Sequence, residues 1–461
     1  MMHVHLIGIG GTGLSAIARV LLESGYQVSG SDQALSPLAQ DVMRLGAQVF
    51  VGHQAENIRG ADLVVRSSAV SDTNVEVTAA LAAGISVLKR SEFLGLLIAD
   101  RDSIAIAGTH GKTTTTAMVA YLLTVLGEDP SYIIGGVAKD LNSNAHAGQG
   151  RSFVIEADEY DRMFLGLHPA IIVLTNLEHD HPDCYPTLEE YQSAFAEFVG
   201  QLKPAGVLLA CADDPAAQHM LQAVPEGCKA LSYGLSEGAV YQARHLQVDD
   251  DGNTRFELWH NPPAGSKLLV PVSLTLPGIH NVRNCTAALA VIHQFGLPLE
   301  TAAHKMHTFS GTGRRFDVLG VVRDITLIDD YAHHPTEIKA TLAAARSKFR
   351  NRRIWAVWQP HTYSRTQTLL DEYVSAFSDA NQVIITEIYA SREKPCDFSS
   401  TEVVSRMNQP GVRYAASLQA AEDILRAEVQ PGDVVIVLSA GDAAQISANV
   451  LAFLRQKEGL L

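Results

Sequence analysis

An α/β protein built as three successive units, each a mostly parallel sheet flanked by helices, is what the sequence predicts. Three observations point that way. Short apolar runs alternate with stretches of helical spacing along the chain, the pattern of parallel sheets with helices on their faces. Glycine-rich turns follow two of those runs directly, in "LIGIGGTG" near the start and in "AIAGTHGKTT" about a quarter of the way along. The 461 residues are enough for about three domains, and 47% hydrophobic content is ample for their cores.

The first unit, residues 1–97, has a strand in "VHLIGIG", a helix in "LSAIARVLLES" and further strands in "YQVSGSD" and "ADLVVRSSAV". The second, residues 98–312, opens on the strand "SIAIAG" and continues through "SFVIEADE" and "AIIVLTNLEHD". It closes with a helix over 281–295 and the stretch "AAHKMHTFSG". Within it, residues 231–275 alternate polar and apolar positions between turn clusters "DDDGN" and "NPPAGS", which predicts a small antiparallel excursion on the side of the domain. The third unit, residues 313–461, starts after "GTGRRFD". Strands are expected in "ITLIDD", "RIWAVWQP", "QVIITEI" and "DVVIVLSAGD", with helices over 336–349, 366–378 and 417–427.

Composition excludes several functions. With 50 acidic against 35 basic residues the net charge is −15, which disfavours binding to nucleic acid or an anionic membrane but leaves room for a local basic pocket. Five scattered cysteines without a CxxC spacing argue against a disulfide framework or a structural zinc site. The start "MMHVHLIGIGG" lacks a basic region and breaks into glycines too early for a signal peptide. No uncharged apolar run nears the roughly 20 residues of a membrane span. The expectation is a soluble, cytoplasmic protein of unspecified oligomeric state.

The chemistry starts at "GTHGKTTTT". Backbone N–H groups at a helix start point outward unpaired, and the helix dipole adds positive charge there. Gly108 and Gly111 let the chain curl around an anion, with Thr109, His110 and Thr114 in the same turn. Lys112 supplies a point charge for terminal phosphates, and the Thr113 hydroxyl can ligate Mg²⁺. The loop is shorter than the usual phosphate-binding pattern, since Ile106 stands where that pattern has its first glycine. Two acidic strand ends follow, Glu156, Asp158 and Glu159 in "EADEYD" and Glu178, Asp180 and His181 in "LEHDH". A hard Mg²⁺ ion asks for a few oxygens and several waters, which one threonine and one or two carboxylates supply.

The earlier turn, "GIGGTG", satisfies G-x-G-x-x-G with Gly8, Gly10 and Gly13, and Asp32 ends the next strand. That is the dinucleotide fingerprint of a Rossmann-like unit, and it raises a rival reading as a nicotinamide-dependent oxidoreductase. Nothing later supplies hydride chemistry, and the same loop physics suits the pyrophosphate of a sugar nucleotide.

Taken in order, "GIGGTG", "GTHGKTT", "EADEYD", "TNLEHDH", "PGIHNVRNCTAA", "GTGRRFD", "DDYAHHPTEI", "QPHTYSRT" and "LSAGD" resemble the Mur ligases of peptidoglycan synthesis over essentially the whole chain. The resemblance implies a Rossmann-like N-terminal domain for a UDP-sugar, a central ATPase and a Rossmann-like C-terminal domain that closes over ATP. It implies that ATP and Mg²⁺ serve to join L-alanine to the lactyl carboxylate of UDP-N-acetylmuramate, or, as the alternative, a murein tripeptide to the same sugar. On this resemblance Gly10, Gly11, Thr12 and Gly13 hold the UDP-sugar, with Asp32, His53 and Ser67 as contacts. Lys112 and Thr113 bind ATP phosphate and Mg²⁺, with Glu156 and His181 as further metal ligands. His280, Asn281 and Asn284 stand near the adenine, and Arg315 and Asp330 reach ATP from the third domain. Tyr331, His333, His361 and Arg365 face the amino acid; Lys112, His181, His333 and Arg365 are the expected catalytic set. Of the neighbours His333 and His334, and of Arg314 and Arg315, one each is expected to meet ligand. Three positions depart from the family pattern: Tyr160 replaces a frequent serine, Ser439 a glycine, and Pro182 follows His181.

The parts suit the chemistry. A carboxylate is a poor electrophile for an amine, and phosphorylation by ATP makes it an acyl phosphate that the amine can attack. Such transfer asks a protein for positioning, charge neutralisation and exclusion of water. The intact acidic strand ends argue against a nucleotide-gated binding protein without catalysis, since a pure switch does not need a second pocket for a carboxylate substrate.

Overall fold

The computed structural model describes residues 1–249, 251–391 and 393–458. Three sheets follow one another along the chain. The first is fully parallel, in the spatial order Gln48–Val51, Gln27–Asp32, His3–Ile7, Leu63–Arg66, Ser86–Lys89. Its order reverses direction beside the His3–Ile7 strand, so a crevice opens there at the carboxyl ends of the strands. The Thr12–Glu23 helix starts in that crevice, directly after the first glycines. Short strands at Gln48–Val51 and Ser86–Lys89 add to those read from sequence; at four residues each they carry too few alternations to stand out.

The second sheet has ten strands, and Asp102–Ala107 lies between Ile171–Leu174 and Ser152–Glu156. The expected antiparallel excursion is an extension of this same sheet. Lys229–Gly234 pairs in parallel with Val207–Cys211, then touches Tyr241–Val248 through only two residue pairs before the antiparallel strands Thr254–His260 and Lys267–Leu274 follow. The third sheet is parallel apart from the Asp317–Val322 edge strand. The helix expected over 366–378 is two short pieces, Tyr363–Thr368 and Leu370–Val374, broken at Leu369. The break seats Tyr373 against Trp358, with ring centroids 4.4 Å apart.

The first and second sheets share one continuous hydrophobic core, running from Val4 to Phe309. The joint is the Arg90–Ile98 helix, which buries Phe93, Leu94 and Ile98. Gly95 meets Gly166 so closely that a Cβ there would lie 2.2 Å from the Gly166 carbonyl oxygen. The third sheet carries its own apolar layers on its two faces.

Beneath the first sheet runs a buried polar chain. His3 Nε2 and His5 Nδ1 flank Ser29 Oγ at 2.7 and 2.8 Å. Glu76, fully buried, takes hydrogen bonds from Ser31 Oγ at 2.5 Å and Asn57 Nδ2 at 2.6 Å, with His5 Nε2 at 3.4 Å. Burial raises the Glu76 carboxyl, but the hydrogen bonds of His5, Ser31 and Asn57 win and hold it at about 2. A carboxylate depressed from 4.5 stabilises the fold fully above that pH and loses its contribution as pH falls through about 2. Glu76→Gln is therefore expected to cost on the order of 3 kcal/mol at neutral pH. In chemical denaturation the gap between variant and parent should close progressively as the buffer is made acid below 4.5.

Candidate active site

All three sheets turn the carboxyl ends of their strands toward one region, where two adjoining cavities lie. The larger encloses about 610 Å³ and the smaller about 290 Å³. Thr12 and Gly13 of the first unit, the Gly111–Thr113 turn of the second, and Tyr331, His333, His361 and Arg365 of the third line the larger one.

The phosphate-type loop is held in shape by its neighbours. Gly108 has φ +126° and no room for a side chain, since a Cβ would fall 2.1 Å from Thr175 Oγ1. Thr109 N–H donates to the Asn176 carbonyl at 2.9 Å, and His110 N–H to Asn176 Oδ1 at 2.9 Å. Thr175 Oγ1 returns a hydrogen bond to the His110 carbonyl at 2.7 Å. Thr175 and Asn176 were within a recognised motif but unassigned by sequence reading; their strand-end position beside the loop was the available signal. The Lys112–Val125 helix then begins with Gly111 at φ +81° as its cap.

Lys112 Nζ bonds the Gly108 carbonyl at 2.5 Å, the Thr109 carbonyl at 3.1 Å and Glu159 Oε1 at 2.9 Å. Burial works against its charge, and Glu159 and Glu156 outweigh that and raise it above the ordinary lysine value. Thr113 Oγ1 lies 3.1 Å from Glu156 Oε1, and Glu156 Oε2 accepts the Gly135 N–H at 2.8 Å. A hydroxyl and a carboxylate side by side at a helix start fit a hard cation with waters completing its shell. His181, at φ +55°, lies on the wall of the same cavity, its ring edge-on to Tyr160 at 5.1 Å. The Tyr160 hydroxyl reaches Asp183 at 3.2 Å.

The smaller cavity is lined by Thr114, His280, Asn281 and Asn284 as well as by Asp330 and Arg315, the latter shared with the larger one. Burial, with Arg283 and Arg315 nearby, lowers His280 to about 4, so it is neutral near pH 7. Asp213 and Arg283, paired at 2.6 Å, also line this wall; Arg283 falls inside the "PGIHNVRNCTAA" motif without a role read from it, while Asp213 lies in no such motif. Asp330 braces the turn between units, accepting the Phe316 and Ala332 N–H groups at 2.7 and 2.8 Å. Burial raises it to about 6.

The first unit contributes differently from its glycine fingerprint. Asp32 Oδ2 accepts the Gly10 N–H at 2.8 Å, and a Cβ at Gly10 would meet it at 2.9 Å. Gly11 N–H closes the same turn onto the Gly8 carbonyl at 3.1 Å. Arg90 crosses above Gly13, where a Cβ would clash with Nη1, and reaches Asp158 at 3.3 Å. Asp32, His53 and Ser67 lie at the carboxyl ends of strands of the first sheet and do not line the larger cavity, His53 Nδ1 resting 3.0 Å from Ser31 Oγ.

The third unit is docked by polar ties. Arg365 Nε and Nη2 bond Asp180 Oδ1 at 3.0 and 2.8 Å, and both residues are buried. His110 stands between Glu178, at 2.9 Å, and Glu337 of the Pro335–Lys348 helix, at 3.2 Å. Thr336 Oγ1 adds a bond to Glu178 at 2.7 Å. His333 faces the larger cavity, while His334 turns toward His110, ring centroids 4.8 Å apart. Arg315 and Arg314 both lie over the Tyr331 ring, Arg314 also bonding the Ser439 carbonyl at 2.6 Å. His110, Glu178 and His334 have metal-ligand spacing. His110 is nevertheless engaged as a cation: burial lowers it, but its bonds to Glu178 and Glu337 prevail and raise it to about 9.

Two outcomes follow from these ties. Removing Arg365 leaves the Asp180 charge buried and alone, at a cost of about 3–5 kcal/mol. Arg365→Ala should therefore lower the melting temperature and swell the molecule in small-angle scattering, and Asp180→Asn added to it should restore part of the loss. His110, raised from 6.5, contributes fully below that pH and loses its contribution as pH rises through about 9. The stability difference between parent and Glu337→Gln, measured by thermal unfolding, should shrink over the same rise.

Residues 3–102 match the Mur ligase family catalytic domain, residues 106–292 the Mur ligase middle domain and residues 314–441 the Mur ligase glutamate ligase domain. The chain is 42% identical over 459 residues to the UDP-N-acetylmuramate–L-alanine ligase of Syntrophotalea carbinolica, covering 99% of this chain and 98% of that one. It is 39% identical over 443 residues to the enzyme of that name from Clostridium tetani, covering 95% of each. Among solved structures it resembles the UDP-N-acetylmuramate–alanine ligase of Thermotoga maritima, with TM-score 0.82, 27% identity, and 99% and 100% of the two chains covered. A murein peptide ligase from Psychrobacter arcticus follows at TM-score 0.71 and 26% identity, covering 98% and 99%. With all three sheets converging on the cleft and all three domain types matched in order, the chain belongs to the Mur ligase family.

Proposed function

We propose that this enzyme joins L-alanine to the lactyl carboxylate of UDP-N-acetylmuramate, driven by ATP through an acyl phosphate. One observation carries the reading: the glycine turn ending at Thr12 and Gly13 and the loop ending at Lys112 face one cavity, with His333, His361 and Arg365 on its far wall. A sugar nucleotide held by the first loop then presents its carboxylate to a triphosphate on the second. The smaller cavity, with neutral His280, Asn281 and Asn284, suits the adenine.

The reaction runs in two displacements. A carboxylate oxygen attacks the γ-phosphorus, the bond to the β–γ bridging oxygen breaks, and ADP departs. The amine of alanine attacks the acyl carbon, a tetrahedral intermediate forms, a proton is lost from nitrogen, and inorganic phosphate leaves with the C–O bond electrons. Lys112 and the helix start bind and orient the transferring phosphoryl group. Thr113 and Glu156, with His181 on the same cavity wall, would hold Mg²⁺, which when bound would neutralise phosphate charge. Arg315 adds positive charge from the third unit. His333 is kept neutral by burial, down to about 3, and its Nδ1 bonds the Tyr331 carbonyl at 3.0 Å. That leaves Nε2 as an acceptor able to orient the incoming ammonium or amine. The five cysteines are free thiols, in keeping with a cytoplasmic setting for this ATP-dependent step.

Purified protein given UDP-N-acetylmuramate, Mg²⁺-ATP and single candidate amines should release phosphate with L-alanine. Release only with alanyl-glutamyl-diaminopimelate would move it to tripeptide recycling, and silence with every amine would refute the ligase reading. Asp32→Ala unbraces Gly10 and should weaken UDP-sugar binding about tenfold or more in calorimetry while sparing ATP.

A further inference from the structure

Glu159 is a buried carboxylate that the chemistry above does not use. It is 1% exposed, it precedes the short helical segment Tyr160–Gly166, and both of its oxygens lie 2.9 Å from Lys112 Nζ. Its position is fixed from behind by two tyrosines of the neighbouring segment. Tyr191 OH donates to Glu159 Oε1 at 3.3 Å, and Tyr185 OH to the Glu159 carbonyl at 2.6 Å. Tyr191 OH is itself 3.0 Å from Thr109 Oγ1, so the carboxylate, the tyrosine and the phosphate-type loop form one connected cluster.

The donor count of Lys112 gives this cluster its meaning. An ammonium carries three N–H donors and no acceptor. Here the three partners are the Gly108 carbonyl, the Thr109 carbonyl and Glu159 Oε1. Every donor is committed to the protein, and the anionic partner among them is a carboxylate in the place where a phosphate oxygen would serve. A terminal phosphate therefore reaches Lys112 only by taking a donor from one of these groups. Two anions in a poorly solvated site repel, so the carboxylate is the partner whose bond a phosphate opposes most strongly. Its second oxygen, Oε2, lies 2.9 Å from Nζ but has no hydrogen-bond donor aligned on it, so this carboxylate is only half engaged by its partners.

We propose that Glu159 is a positioning residue that parks Lys112 in the nucleotide-free enzyme and competes with the terminal phosphate of ATP for it. The inference deepens the ATP-binding reading above and rests on it. Glu159 keeps the cation folded against its own loop and prevents it from pairing with the metal-binding carboxylate Glu156 or with adventitious anions. Nucleotide binding then includes breaking the Lys112–Glu159 pair, and the two interactions are coupled with opposite sign.

Calorimetry with ADP and with a non-hydrolysable ATP analogue, on the full chain, tests this. Glu159→Gln preserves shape and removes the competing charge, and it should bind nucleotide about tenfold tighter than parent. The gain should vanish when Lys112→Met is present in both backgrounds, because the competition acts only through that ammonium. A residue serving the fold alone would lower the melting temperature and leave affinity unchanged or weaker, and either affinity result in a folded variant overturns the proposal. Should the variant fail to fold, the parent decides: a structure with the analogue bound must show Lys112 Nζ out of hydrogen-bond reach of Glu159, and an intact pair overturns it. Parent protein that binds no nucleotide at all brings down the ATP reading and this one with it, whereas nucleotide binding by the parent with no change in Glu159→Gln brings down this one alone.

Discussion

The ammonium of Lys112, enclosed beneath the first turn of its own helix, is the constraint around which the cleft is built. A cation largely withdrawn from water has to be surrounded by acceptors or it loses its proton, and here two loop carbonyls and a carboxylate meet that demand. For the carbonyls to point inward, the chain at Gly108 must take φ +126°, and for the strand beside it to come close enough, no side chain can stand there. Thr175 and Asn176 then bond the outward-facing side of the same turn. The loop is thus fixed from both sides before any ligand arrives, so its N–H groups lose little freedom on binding.

The two junctions between units are held by different forces. Between the first and second, apolar residues of the Arg90–Ile98 helix join a continuous core, and backbone meets backbone at Gly95 and Gly166. Such a joint is costly to open. Between the second and third, ion pairs and hydrogen bonds dominate: Asp180 with Arg365, His110 with Glu337, Glu178 with Thr336, and Lys139 with Asp317 at 2.5 Å. Polar contacts can be exchanged for water with a small net change, so the third unit can lift away without exposing a core. That asymmetry would suit the function proposed above, in which the first unit's wall stays in place while the third unit's wall opens to admit ATP.

Much of this was legible in the chain, and the reason for the rest is physical. Glycine turns, GKT and acidic strand ends are local patterns, set by the needs of a few consecutive residues, and they stand in the order of the sheets. The partners that lock the site are not local. Arg365 and Asp180 are 185 positions apart, and Glu159 and Lys112 are 47 apart. No periodicity reports such a pairing. Asp32 shows a subtler point: its fingerprint position suggests a ligand contact, and its Oδ2 also accepts the Gly10 N–H. The same spacing that serves a ribose also serves to close the turn. The helical spacing over 366–378 does not show the break at Leu369, because the buried residues of Tyr363–Thr368 are the polar Arg365 and Thr366, whereas Leu370–Val374 buries Leu370 and Tyr373.

The departures from the family pattern also resolve into contacts. Ser439 stands where glycine was expected, and its hydroxyl donates to Gln359 Oε1 at 2.8 Å while accepting the Gly441 N–H at 2.9 Å. Its carbonyl takes Arg314. A glycine would keep the carbonyl contact and lose the two hydroxyl ones, so serine stiffens a turn that glycine would leave freer. Tyr160 acts at the opposite rim, laying its ring edge against His181 and its hydroxyl on Asp183. His181 holds φ +55°, a region that costs a side-chain-bearing residue energy, and the aromatic contact and the Asp180 carboxylate accepting its N–H at 2.7 Å compensate. Both substitutions brace the edge of the cavity and leave its charged groups as they are. They alter how firmly the walls stand, and they leave intact the requirement that a carboxylate, a triphosphate and an amine meet between them.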